Sequence, residues 1–396
     1  MQSIITIQKC KYLLLTVVLL ELFLGGTGRL VEFTAFLTLR MCLFLVYMAL
    51  IIVYLFLRRT LPIEIVILTC FFLIINLLAA INGFRNGAHF SDIFEDIKPL
   101  LNTFLFCYLS FSIKTPRDIR YILKLLKISA VILALLHIVL YSIYLVYHDI
   151  GVLYYIINSA QSDNTVFLFK GESGFLNYTG DIYLCVGFIA WDEYHKNTFF
   201  KYVALTMILI AIVLTGTRGL IISLGAVYFL KWLLLRINYR SLVYVGIGAV
   251  MILAVFSNIQ GNIGDKDESD QTRYDQIHQV GERVTPVSTI IGHGYGIGVP
   301  IRPIHMEISY LEIFHKQGLL GISYYIMILL IAYMAYKNCK RENVMGFFMF
   351  VLFIYFVSST NPYVNHPLGI TVLALALVSM LKLRGFEKNE NLTLVD

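Results

Sequence analysis

Two stretches of the sequence hold residues suited to chemistry. Thr215-Gly216-Thr217-Arg218-Gly219 places an arginine between two apolar runs that leave almost no room for a loop. A guanidinium held at a membrane surface is costly unless paired, and a lipid-linked diphosphate would suit it as partner. A solvated turn arginine is the plain alternative. The second stretch, His305-Met306-Glu307-Ile308-Ser309-Tyr310-Leu311, opens an amphipathic segment that continues through Gly318-Leu319-Leu320-Gly321. On a helix, Glu307 and Leu311 share a face while His305 points elsewhere. Taken alone, Glu307 reads as an acidic residue in a first helical turn and His305 as a loop histidine. Beside several arginines at the membrane surface the same carboxylate fits a general base, with His305 the second candidate.

The elements that position these residues are membrane helices. Of 396 residues, 58% are hydrophobic and 14% charged, with a mean hydropathy of +0.76, against roughly 25% charged in a soluble domain. A water-soluble fold is excluded. Apolar runs recur from Tyr12 to Leu383, and runs of about 15 to 25 residues are long enough to cross the hydrocarbon as helices, whose backbone groups are satisfied internally. The first run, 12–26, has no clear small-x-small cleavage site and is expected to be retained. The six cysteines do not pair by spacing, so neither a disulfide framework nor a zinc site is indicated. The net charge of +6 is scattered between apolar runs, as membrane orientation requires, and leaves no nucleic-acid footprint.

The expected fold is all-α and polytopic, with twelve spans at 12–26, 33–57, 61–81, 99–113, 128–147, 179–191, 199–215, 219–235, 241–256, 318–336, 344–358 and 367–381. Alternate connections, from Lys9 and Lys11 through Arg58 and Arg59 to Lys382, Arg384 and Lys388, hold 20 of the 31 Lys and Arg. The positive-inside rule then puts both termini in the cytoplasm. Residues 1–396 read as one transmembrane domain, with a long outer loop at about 257–305; connections of that length are usually functional.

Several further groups have a structural reading beside a functional one. Asp265-Lys266-Asp267 resembles a D-x-D metal motif but lies in a solvated acidic segment, so no metal is expected. The glycines of Gly292-His293-Gly294-Tyr295-Gly296-Ile297-Gly298 lack the strand and helix of a dinucleotide site, and instead let the loop turn tightly or approach a glycan. Glu21 and Arg40 are expected to pair in the membrane, and Glu64 and His137 to have local partners. The outer tyrosines Tyr178, Tyr274, Tyr295, Tyr310 and Tyr363 could stack on sugar rings, and the 358–363 loop could line an acceptor groove; a plain turn serves equally.

Three of these motifs together resemble the bacterial O-antigen polymerase and O-antigen ligase superfamily. Thr215 to Gly219 is similar to its Thr-x-Ser-Arg turn, with Thr217 for the serine. Arg273, followed by Gly292-His293-Gly294-Tyr295-Gly296, resembles its outer-loop arginine and G-x-G segment. Glu307 to Gly321 resembles its H-N-x-x-L and G-x-x-G stretch, with Leu311, Gly318 and Gly321 in register. The ligase histidine falls on Glu307 and its asparagine on Ile308, which favours a polymerase of the Wzy type.

The resemblance implies an inner-membrane glycosyltransferase of GT-C-like type that needs no cofactor. It would join undecaprenyl-diphosphate-linked oligosaccharide repeats on the periplasmic face with inversion. Membrane lipids surround it, and the resemblance admits a chain-length regulator as a partner. Arginines suit the growing charge of a leaving diphosphate, because they stay charged and bind phosphate bidentately. The expected roles are therefore Arg218 and Arg273 on the diphosphate, Arg302 as a third arginine, Tyr310 near the glycan, Glu307 as base and His305 as its alternative. A ligase transferring polymer to lipid A core is the rival within this class. A transporter or flippase is the rival outside it, although its polar residues would be expected near the midplane of paired halves.

Overall fold

The computed structural model of the protein describes residues 2–26, 28, 31–34, 37–57, 59–160, 167–169, 174–235, 266–387 and 394, with backbone only for 2–10, 32, 34, 37, 157–160, 235 and 266–270. In chain order the helices are α1 (Gln2–Leu24), α2 (Leu39–Phe56), α3 (Ile63–Arg85), α4 (Phe90–Leu100), α5 (Leu105–Ser112), α6 (Pro116–Tyr147), α7 (Ile150–Ala160) and α8 (Ile182–Tyr194). There follow α9 (Phe199–Leu214), α10 (Arg218–Leu235), α11 (Lys266–Arg283), α12 (Pro286–Ile291), α13 (Ser309–Lys337), α14 (Arg341–Val357) and α15 (Pro367–Phe386). Among the described residues the sheet is confined to two short antiparallel hairpins, β1 (Glu32–Thr34) with β2 (Leu37–Thr38) and β3 (Phe167–Phe169) with β4 (Leu176–Tyr178). Among the described residues five helices, α2, α3, α6, α13 and α15, are long and apolar enough to cross a bilayer. The protein is an all-α integral membrane protein.

Eleven of the twelve expected spans overlap helices, although 33–57 opens on the β1–β2 hairpin and 99–113 is divided between the end of α4, a 3-10 turn at 101–104 and α5; the span at 241–256 lies outside the described residues. The edges differ for local reasons. Pro116 opens α6 twelve residues early, where its missing N–H costs nothing. The basic residues Arg117 to Lys127 therefore ride on a helix instead of a loop. Helices α4, α7, α11 and α12 occupy segments expected as loops. α11 was illegible as a helix because it is polar and held by local pairs such as Gln271 Nε2 to Asp275 Oδ1 at 2.9 Å and His278 with Glu282 at 3.4 Å.

The chain divides into two compact units, residues 1–45, 117–265 and 393–396 in one and 46–116 and 266–392 in the other. In the first, Lys11 Nζ and Tyr12 Oη both donate to the buried Asp118, each at 2.8 Å. Arg40 Nε lies 2.9 Å from Glu21 Oε2, the pair expected from the sequence. His137 Nε2 meets Asp181 Oδ1 at 2.8 Å, and Asp181 Oδ2 accepts the Tyr178 N–H at 3.0 Å. Helix α8 approaches α6 so closely that a Cβ on Gly187 would lie 2.1 Å from that of Ala130.

In the second unit α15 is buried along almost its whole length and packs on α14 and α5. Glu64 near the start of α3 accepts from Arg384 Nη2 at 2.6 Å, the local partner expected of it. Gly318 adopts φ +64 inside α13 and splits it into a short segment, 309–317, and a long one.

Candidate active site

The kink at Gly318 organises the second unit's polar end. Breaking the helix frees the carbonyls of His315 and Lys316, which accept the N–H groups of His293 at 2.7 Å and Gly294 at 3.0 Å. The glycine segment is pressed between this kink and α3: Tyr295 N donates to Ala79 O at 3.0 Å, and Asn82 and Asn86 donate to the carbonyls of Gly292 and His293 at 2.6 and 2.7 Å. A Cβ on Gly294 would stand 2.0 Å from Gly83 N, and one on Gly292 2.3 Å from the carbonyl carbon of Lys316. These glycines thus serve close backbone packing. Tyr295 is buried, its hydroxyl donating to Asn76 Oδ1 and accepting from Gln317 Nε2, which fixes the ring where it borders a cavity.

Against this scaffold lies a cavity of about 270 Å³, lined among others by Asp96, His305, Glu312, Lys316, Asn365 and His366. Asp96 comes from the inward face of α4, which also carries Ile93 and Leu100. Glu312 and Lys316 are one turn apart on the short segment of α13. Lys316 Nζ donates to Asp96 Oδ1 and Glu312 Oε1, both at 2.6 Å, and to the Ile304 carbonyl. The second oxygens are also taken, Asp96 Oδ2 by Gly296 N–H and Glu312 Oε2 by Asn365 Nδ2, each at 2.7 Å. Burial raises the Asp96 pKa, and Lys316 opposes that shift.

His305 stands at this cluster with its side chain 56% exposed, Nδ1 lying 3.5 Å from Glu312 Oε1 and 3.6 Å from Asp96 Oδ1. The hydrogen bond with Glu312 raises the imidazole pKa above its ordinary value, burial acting against it. With Nδ1–H turned to the carboxylates, Nε2 carries the lone pair. Asp96, His305 and Glu312 could also present donors to a metal ion, all within 4.8 Å of one another. The Lys316 ammonium, however, already sits among the same oxygens at 2.6 Å, where a cation would stand.

Arg273, Arg302 and Glu307 form a separate group. Arg302 Nη2 lies 2.5 Å from Glu307 Oε1 and Arg273 Nε 3.2 Å from Oε2, so each carboxylate oxygen faces one guanidinium. Glu307 N–H donates to Gln276 Oε1 at 3.0 Å. Glu307 does not line the cavity, whereas His305 does. Tyr310 donates its hydroxyl to the Tyr355 carbonyl at 2.7 Å, a structural bond between α13 and α14.

Arg218 belongs to the first unit. Gly216 takes φ +59, Thr215 Oγ1 accepts the Thr217 N–H at 3.1 Å, and Arg218 is exposed at the start of α10. The Asp265-Lys266-Asp267 motif lies outside the residues whose side chains are described. Sequence reading missed Asp96, Glu312 and Lys316. Their signal was present: Asp96 interrupts the apolar stripe of Ile93 and Leu100, and Glu312 and Lys316 make an acid and base pair at i, i+4 among apolar neighbours.

No family model matches the chain. The chain is similar to an O-antigen polymerase of Shigella flexneri, with 24% identity over 388 residues, covering 96% of this chain and 97% of that protein. This similarity over nearly the whole of both chains bears out the resemblance to the O-antigen polymerases read from the sequence.

Proposed function

We propose that the protein is a polymerase of lipid-linked oligosaccharide repeats. What carries this reading is the similarity to an O-antigen polymerase along almost the entire chain, which favours a polymerase over a ligase or a transporter. The proposal includes twelve spans in the inner membrane, a GT-C-like arrangement, both termini in the cytoplasm and a single transmembrane domain. The reaction takes place on the periplasmic face, with undecaprenyl diphosphate as the donor carrier.

In the proposed reaction an acceptor hydroxyl attacks the anomeric carbon of the donor sugar as the bond to the diphosphate breaks. The hydroxyl proton passes to His305 Nε2, the diphosphate leaves as an anion, and the anomeric centre inverts. His305 is assigned as base ahead of Glu307, because it lines the cavity with carboxylates behind Nδ1, whereas Glu307 does not line it. Arg273 and Arg302 are assigned to the diphosphate. The cavity is the place for the acceptor sugar, whose hydroxyls the Asn365 and His366 side chains suit. Lys316 supplies the positive charge between the carboxylates, which supports a metal-independent reaction.

A transporter needs its charged groups in the path near the middle of the spans. Asp96 precedes α5, and Glu312 and Lys316 lie in the opening turns of α13, which favours chemistry at one end of the unit. The test is a gel of surface glycans from cells lacking the protein. Single repeats on lipid A core in place of a ladder support the polymerase; unattached polymer indicates a ligase, and an unchanged ladder indicates neither.

A further inference from the structure

We propose that Arg273 and Arg302 form an anion-binding fork that Glu307 fills as an internal stand-in, and that a diphosphate displaces this carboxylate. The naming of the ligand as a donor diphosphate rests on the polymerase reading; the fork itself rests on geometry.

Each Glu307 oxygen is in an ion pair with a different guanidinium, at 2.5 Å from Arg302 Nη2 and 3.2 Å from Arg273 Nε. Two cations converging on one anion, one per oxygen, is the arrangement an oxyanion with more charge would use better. Gln276 beside it is fully buried. Its Oε1 accepts the Glu307 N–H, while its Nε2 has no hydrogen-bond partner among the described residues. A buried amide donor left unused is costly, and a phosphate oxygen in the place of the glutamate side chain would give it an acceptor.

The framework around the fork is fixed. Val280, Val299 and Met306 pack in one buried cluster, Arg283 Nη1 donates to Gly298 O at 2.8 Å, and Ile301 N–H donates to Gln279 Oε1 at 3.1 Å. The charged side chains are looser, with Arg302 at 45%, Arg273 at 31% and Glu307 at 25% exposure. Exchange of one anion for another therefore requires Glu307 to change rotamer while α11 and the 298–307 segment stay in place. Partly exposed charges are also accessible to a ligand arriving from water.

Binding of inorganic pyrophosphate to the full-length protein in nanodiscs tests this without turnover. Glu307→Gln keeps the size of the side chain and removes its charge, so pyrophosphate should bind at least about tenfold more tightly than to wild type. Arg302→Ala in the Glu307→Gln background should abolish that gain. Glu307→Ala, checked for monodispersity alongside, should show the same gain by vacating the fork. Unchanged or weaker pyrophosphate binding in both Glu307 variants overturns the proposal. Should the surface ladder still depend on the protein in that case, the polymerase reading stands and the fork alone is lost.

Discussion

Lys316 Nζ and Asp96 Oδ1 lie 2.6 Å apart, both side chains buried, and join the short segment of α13 to α4. Removing one member of such a pair leaves a buried charge uncompensated. Lys316→Met is therefore expected to lower the unfolding free energy by about 3–5 kcal/mol. Thermal unfolding in detergent measures it. The triple variant with Asp96→Asn and Glu312→Gln should recover part of the loss, because the three groups form one network and their effects are not additive.

His305 must be neutral to accept a proton, and its hydrogen bond with Glu312 raises its pKa above 6.5. The acid limb of the pH profile for kcat/KM should lie above that value, with activity rising as pH increases through it. Glu312→Gln removes the main cause and should move the limb to lower pH. For stability the sign is opposite: a raised pKa in the folded state stabilises below the unfolded pKa, and this contribution disappears as pH rises through the folded one. A limb that does not move in Glu312→Gln removes the His305 assignment.

Glycine substitutions separate close packing from mere flexibility. Gly318→Ala places a Cβ 2.4 Å from the Ile290 backbone at φ +64, and Gly83→Ala places one 2.1 Å from Tyr295 O. Both should lower the unfolding temperature and the amount of monodisperse protein. In α10, a Cβ added to Gly225 would meet no atom within 4 Å among the described residues, so Gly225→Ala should be neutral or stabilising by up to about 1 kcal/mol.

Much of the helical framework was legible because an apolar run of membrane length has few other solutions. The Glu21 and Arg40 pair was legible for the same reason, since two opposite charges at similar depth in adjoining runs have little else to meet. The fork of Arg273, Arg302 and Glu307 was legible only as a set of residue types. Its geometry depends on α11, a polar helix with no apolar stripe to announce it. The cavity was least legible, because Asp96 lies some two hundred residues from Glu312 and Lys316 and meets them where the glycine segment packs on α3. The role of those glycines is set by Gly83 and Gly318, partners that no local pattern identifies.

The most direct test is reconstitution of the purified protein with a polyprenyl-diphosphate-linked repeat unit, followed by mass spectrometry of the lipid products. Carriers bearing two and more repeats should appear together with released polyprenyl diphosphate, and His305→Ala should lose about 10²- to 10⁴-fold in rate. Failure of wild type to elongate the repeat would overturn the polymerase reading, and a His305→Ala variant as fast as wild type would overturn the assignment of the base.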